Sequence, residues 1–175
     1  MNRRQFIIDT LAAIASASLY NPTDCIAGDV IDIPGIGNVN LKDKVIPNGH
    51  FDWGEVTKSG TRIPRDPKIV TNILATAKYM EEIRTYFGNK PIDITSWYRT
   101  PEVNNRVSWT GKTGYHTEGI AVDFTVRGLS SVVVAEKMNK FWGSRGGFGK
   151  YPEKGFTHID SRGHKVRWRN HNEPW

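Results

Sequence analysis

Apolar positions recur at helical spacing in one long stretch of the chain. Ile69, Val70, Ile73, Leu74, Ala77, Met80 and Ile83 fall at intervals of mostly three and four, the period of a helix with one buried face. Asp66 and Pro67 supply a capping carboxylate and a first-turn proline, while Gly88 and Pro91 end the run. After Pro91 the period changes to two. Ile92 and Ile94 alternate with Asp93 and Thr95, which predicts a strand over 91–97. Gly119 enters a second strand over 120–126, apolar except for Asp123 and Thr125. Ser130 caps a short helix carrying Val133, Val134, Met138 and Phe141, and 146–149 reads as a glycine turn. A third strand over 155–160 places Phe156, His158 and Asp160 on one face and Thr157 and Ile159 on the other. Helices and strands mix without a βαβ repeat. The expected fold is therefore a compact α+β domain, with a small central antiparallel sheet flanked by helices.

The N-terminus follows another pattern. Arg3 and Arg4 precede a short, Ala-rich, mildly apolar stretch from Phe6 to Tyr20, interrupted by Asp9. It is too short and too polar for a good membrane span, and it has the layout of a secretory signal. Arg3-Arg4-Gln5-Phe6-Ile7 resembles the twin-arginine export signal, and Ala15-Ser16-Ala17 and Cys25-Ile26-Ala27 are both candidate cleavage sites. The expected organisation is an export signal over 1–27, a linker with early loops over 28–47, and one domain over 48–175.

At 175 residues the chain is about one domain long, enough to bury a core without staples. Cys25 is the sole cysteine, which excludes a disulfide framework and a Cys-rich zinc finger. The net charge is +6, and it stays +6 without residues 1–27, because Arg3 and Arg4 leave together with Asp9 and Asp24. That balance suits either a solvated basic surface or attraction to an anionic polymer, with nucleic acid and cell wall both in range. The segment Lys165-Val166-Arg167-Trp168-Arg169 interleaves basic and aromatic residues as single-strand binders do, but an export signal argues against nucleic acid.

Candidate chemistry gathers in three segments. His116 ends a loop and Asp123 follows seven residues later within a strand. A carboxylate there is costly to bury unless it is paired or binds a cation, and Arg99 is one candidate partner. His158 and Asp160 share a strand face, and Arg99 follows the strand that ends near Trp97. Two histidines and one aspartate suit a zinc ion with an open fourth position, the catalytic form. Each residue alone has a plainer account as a hydrogen-bonded core or surface group.

The ordered motifs add a family. Ser96-Trp97-Tyr98-Arg99, Tyr115-His116-Thr117-Glu118-Gly119-Ile120-Ala121-Val122-Asp123-Phe124, Gly146-Gly147-Phe148-Gly149-Lys150-Tyr151-Pro152, Gly155-Phe156-Thr157-His158-Ile159-Asp160 and Trp168 follow one another across roughly residues 48–168. They resemble the LAS zinc peptidases, and most closely the murein endopeptidase and D-Ala-D-Ala carboxypeptidase-like branch. The resemblance implies one Zn2+ per chain held by His116, Asp123 and His158, with Arg99 facing a substrate carbonyl or carboxylate. It also implies hydrolysis of peptide bonds in peptidoglycan, in the periplasm or cell wall, with no lasting membrane span after processing. Many relatives carry an acid three residues before the last histidine, where this chain has Gly155. Asp160 is the nearest replacement, as the base or as a partner of His158, and Glu118 is another candidate base. In a shifted register Asp160 would hold the metal and His158 would do acid–base work. Without a base, the fold would serve as a non-catalytic wall-binding domain. Oligomeric state has no signature in the sequence.

Overall fold

The structure, a computed structural model, describes residues 29–170, so the expected export signal and residues 171–175 lie outside it. Among the described residues no helix is long and apolar enough to cross a membrane. In chain order the elements are β1 (Val30–Ile33), β2 (Gly37–Asn40), α1 (Trp53–Thr57), α2 (Pro67–Tyr86), β3 (Ile92–Ser96), α3 (Pro101–Val107), β4 (Ala121–Val126), α4 (Ser131–Trp142), β5 (Gly147–Tyr151), β6 (Phe156–Asp160) and β7 (Val166–Arg169). A single 3-10 turn, Pro152–Lys154, joins β5 to β6.

The α+β architecture expected from the alternation is present. Helix α2 starts where the sequence places it: the Asp66 carboxylate accepts from the Lys68 amide and Pro67 occupies the first turn. Its buried stripe is Val70, Ile73, Ala77, Met80 and Ile83. Helix α4 starts on Ser130, whose hydroxyl accepts from Val133 N. It buries Val134, Ala135, Met138 and Trp142. Both helices share one apolar cluster with Ile92, Val122, Phe124, Val126, Phe148 and Ile159 of the sheet.

The five strands run in the order β3-β4-β6-β5-β7. The first four pair antiparallel, and β7 joins β5 in parallel. Register does the positioning. Asp123 of β4 lies opposite His158 of β6, and His158 lies opposite Gly149 of β5. A bulge between Ile94 and Ser96 brings Ser96 opposite Asp123.

Three stretches depart from the sequence expectation. Residues 28–47 contain the β1–β2 hairpin, which buries Ile33 and Val39 and turns through Gly35 and Gly37 at positive φ. Of the glycines in 146–149, Gly147 and Gly149 belong to the start of a strand. They serve close approach: a Cβ on Gly147 would collide with the Asp160 carboxylate, and one on Gly149 with the Trp168 indole. The basic tail supplies β7, whose pairing needs contacts between segments almost twenty residues apart in sequence.

Candidate metal centre

Alternation along β4 divides its side chains between two environments. Val122, Phe124 and Val126 enter the apolar cluster, while Asp123 points to the opposite side of the sheet. His158 is its cross-strand neighbour, so the two functional groups meet because their strands pair. His158 Nδ1 lies 2.7 Å from Asp123 Oδ1.

His116 arrives from a loop, and that loop is held at several points. Gly119 has φ +77 and lies so close to α2 that a Cβ would press on Ile69 O and Ile73. Asn72 Nδ2 donates to Glu118 O at 2.8 Å, and Thr76 Oγ1 donates to Gly119 O at 3.1 Å. Arg99 N donates to His116 O at 3.2 Å. His116 Nδ1 lies 2.6 Å from Trp97 O, an arrangement that makes Nδ1 the protonated nitrogen. Nε2 then turns to Asp123 Oδ1, 3.2 Å away.

One ligand atom from each of His116, Asp123 and His158 lies within 4.8 Å of the others. All three side chains are buried, yet they line a cleft of about 640 Å³. Two imidazoles and a carboxylate converging beneath an open cleft satisfy the donor requirement of a divalent cation and leave one side accessible. The same packing sets the charges when no cation is present. Burial opposes ionisation of Asp123, but the flanking His116 and His158 hold its carboxyl far below the usual range. Burial pushes the His116 imidazole down. It also disfavours charge on His158, where hydrogen bonds to Asp123 and Asp160 prevail and raise the imidazole to about 8.

The remaining predicted residues have distinct places. The Arg99 guanidinium bonds Asp123 Oδ2 through Nη2, and its Nε donates to Ser96 Oγ at 2.9 Å. Asp160 lies behind His158, with Oδ2 3.3 Å from His158 Nε2. It is fully buried, and both its oxygens are gripped by Arg162, at 2.7 Å from Nε and 2.6 Å from Nη2. Gly147 N adds a third donor at 3.1 Å. Burial again opposes charge, and Arg162 and His158 hold the Asp160 carboxyl well below the carboxylate range. Glu118 is exposed and lies away from the cleft; its link to the site runs through its backbone carbonyl. Among the described residues lining the cleft, Asp123 is the one carboxylate.

Several cleft residues were given no role in the site from the sequence, although Tyr151 and Trp168 stand in its motifs. Arg162 stands two residues beyond Asp160, the spacing that puts side chains on one face of an extended chain, and this was its available signal. Tyr151 accepts from Trp168 Nε1 at 2.8 Å, and the Trp168 ring lies 5.3 Å from that of His158. Trp109 stands 70% exposed at the cleft edge on a loop that buried Asn104 ties down through Thr110, Gly111 and Thr113. Nothing in the hydrophobic pattern distinguishes it. The basic tail is committed internally: Arg167 donates to the carbonyls of Gly143 and Gly146 and to Asn139, and Arg169 meets Glu153.

An α+β domain with buried His, Asp and His on adjacent strands and a loop, open to one cleft, has the layout of a metal-dependent hydrolase. The chain belongs to the peptidase M15 family, whose profile matches residues 50–160. Over 76 residues it is 34% identical to the peptidoglycan L,D-endopeptidase MepK of Escherichia coli (strain K12), and equally to the protein of that name from Shigella flexneri. Those alignments cover 41% of this chain and 41% of each relative, so the chain spans less than half the length of the curated relatives it matches.

Proposed function

We propose that this protein is a zinc-dependent peptidase that hydrolyses peptide bonds in peptidoglycan stem peptides or cross-links. The carrying observation is the buried His116–Asp123–His158 cluster beneath the cleft of an M15 domain. His116 Nε2, an Asp123 oxygen and His158 Nδ1 would hold one Zn2+ per chain. When bound, the ion supplies Lewis acidity, polarising the scissile carbonyl and acidifying the attacking water. The protein's own contribution is orientation. Trp97 O fixes the His116 tautomer, and Asp160 accepts from His158 Nε2, so each imidazole presents its other nitrogen to the cluster.

Among the three roles weighed for Asp160, its complete burial and its clamp by Arg162 favour positioning His158 over accepting a proton from water or holding the metal in a shifted register. Arg99 steadies Asp123 and lines the cleft, where its guanidinium favours a carbonyl oxygen gaining negative charge or a carboxylate. The name of the MepK relatives supports peptidoglycan as the substrate. Export of the chain to the periplasm or cell wall by the twin-arginine route fits that substrate and rests on Arg3-Arg4.

A second reading, wall binding without hydrolysis, is favoured by one observation: the cleft has no carboxylate besides Asp123 among its described lining residues. Mass analysis of purified peptidoglycan after incubation with the protein separates the two. New peptide termini that appear with zinc and vanish with chelator are expected. Intact peptidoglycan in the presence of a fully zinc-loaded protein would overturn the hydrolytic reading.

A further inference from the structure

We propose that Arg162, bracketed by Tyr115 and Trp168, is a substrate-binding subsite whose outward guanidinium edge takes a backbone carbonyl of the bound peptide, a role that rests on the peptidase reading for the identity of its ligand.

Three neighbours fix this guanidinium. Arg162 Nε donates to Asp160 Oδ1 at 2.7 Å and Nη2 donates to Oδ2 at 2.6 Å, a side-on bidentate pair. Its Cζ lies 4.3 Å from the centre of the Tyr115 ring and 5.2 Å from that of Trp168, both within cation–π range. A guanidinium is planar, so fixing its Nε–Nη2 edge fixes the rest of the group. Both Nη1–H bonds and the second Nη2–H point away from Asp160, and among the described residues they have no acceptor. The outward edge faces the cleft. Asp160 is fully buried and Gly147 backs the Nε and Nη2 side, whereas Arg162 lines the cleft with 16% of its side chain exposed.

The bracket sets this edge beside the cluster. Tyr115 immediately precedes His116, and the Trp168 ring lies 5.3 Å from that of His158. Arg99 follows β3 at one edge of the sheet, while Arg162 follows β6 and packs on Trp168 of β7 at the other. A peptide lying across the cluster from one side to the other would meet both. Charge decides the kind of acceptor. Arg162 and Asp160 are a close pair of opposite charges, so together they offer no net charge to draw in an anion. What the outward edge retains is hydrogen-bonding capacity. An N–H that loses its water to a substrate and gains no acceptor is costly, and a backbone carbonyl is the neutral acceptor that every peptide brings with it.

Stopped-flow binding to zinc-loaded protein, read before turnover, tests this with a peptidoglycan stem peptide and a set in which one amide at a time is replaced by a trans-alkene. The alkene keeps the shape of the amide and removes its carbonyl oxygen. One replacement is expected to weaken binding to the wild type roughly tenfold, the size of a hydrogen bond to a charged group. Arg162→Lys keeps a positive charge facing Asp160 and loses the planar fork. It should retain its zinc by elemental analysis, bind the unmodified peptide more weakly by the same factor, and lose nothing further with that one alkene peptide. Additive losses at every amide would overturn the subsite. So would coupling of Arg162→Lys to amidation of the peptide's carboxylates and to no carbonyl. A second measurement needs no variant. In nitrogen-15 spectra of the wild type, the Arg162 Nη signals, assigned through their contacts with the Tyr115 and Trp168 rings, should shift with the unmodified peptide and stay in place with the critical alkene peptide. Signals that respond equally to both would overturn the subsite. Coupled binding without cleavage would keep the subsite and remove the peptidase reading, and cleavage with additive losses would do the reverse.

Discussion

The two faces of the central sheet carry residues that are neighbours in sequence and opposites in chemistry. On one face Val122, Phe124 and Ile159 pack beneath α2 and α4, and fluctuation there is limited by shape. On the other, Asp123, His158 and Asp160 are also buried, but polar contacts and charge set their positions. Burial alone therefore does not define a core. The apolar face is held by what it excludes, and the polar face by partners that must all be present. A cation in the cluster would complete that second face.

Asp123→Asn is expected to have the largest effect, because it touches both the metal and the charge balance. One carboxylate here faces Arg99 and both histidines. Zinc stoichiometry, read by elemental analysis, should fall from one towards zero. The metal-free protein should also lose roughly 3–5 kcal/mol in chemical denaturation, the usual cost of leaving a buried charge unpaired. Retention of a full zinc equivalent would remove Asp123 from the ligand set.

Phe124→Ala tests the opposite face at the next position. Loss of a fully buried ring should cost about 3–5 kcal/mol in denaturant unfolding. The fraction that remains folded should still bind one zinc, since the side chain points away from the cluster. Loss of zinc from well-folded Phe124→Ala protein would show that the two faces are coupled more tightly than the alternation implies.

Asp160→Asn is expected to fall between structure and chemistry. Zinc should still bind at saturation, with affinity lowered about 10–100-fold, the range for loss of a group that orients a ligand histidine. Competition with a chromophoric chelator measures this directly. A large fall in turnover with unchanged zinc affinity would instead return Asp160 to the role of proton acceptor.

The smallest expected effect is on pH dependence. In the metal-free protein the His158 imidazole is raised to about 8, so at neutral pH a metal must displace its proton. Zinc affinity should therefore rise as pH increases towards 8 and flatten above it. Calorimetry in buffers of different ionisation heat should show close to one proton released at pH 7. No proton release at that pH would mean that His158 is already neutral before the ion arrives.

Much of this was legible in the one-dimensional pattern. Period-two alternation assigned Asp123 and the pair His158 and Asp160 to strand faces, and period 3.6 with Asp66-Pro67 and Gly88 framed α2. Ordered motifs then grouped His116, Asp123 and His158, and the structure brings these three within ligand distance of one another. Local geometry is short-ranged, so sequence determines it well. Tertiary structure alone decided which partner each polar group meets. Glu118 lies next to the His116 loop in sequence but faces away from the cleft. Asp160 is bound by Arg162 and Gly147, Arg62 reaches Ser96 across 34 residues, and β7 closes the sheet in parallel beside β5. Alternation says which side of a strand a residue occupies. Whether a carboxylate there is neutralised, shared or available depends on charges brought from distant segments, and those arrive only when the chain is packed.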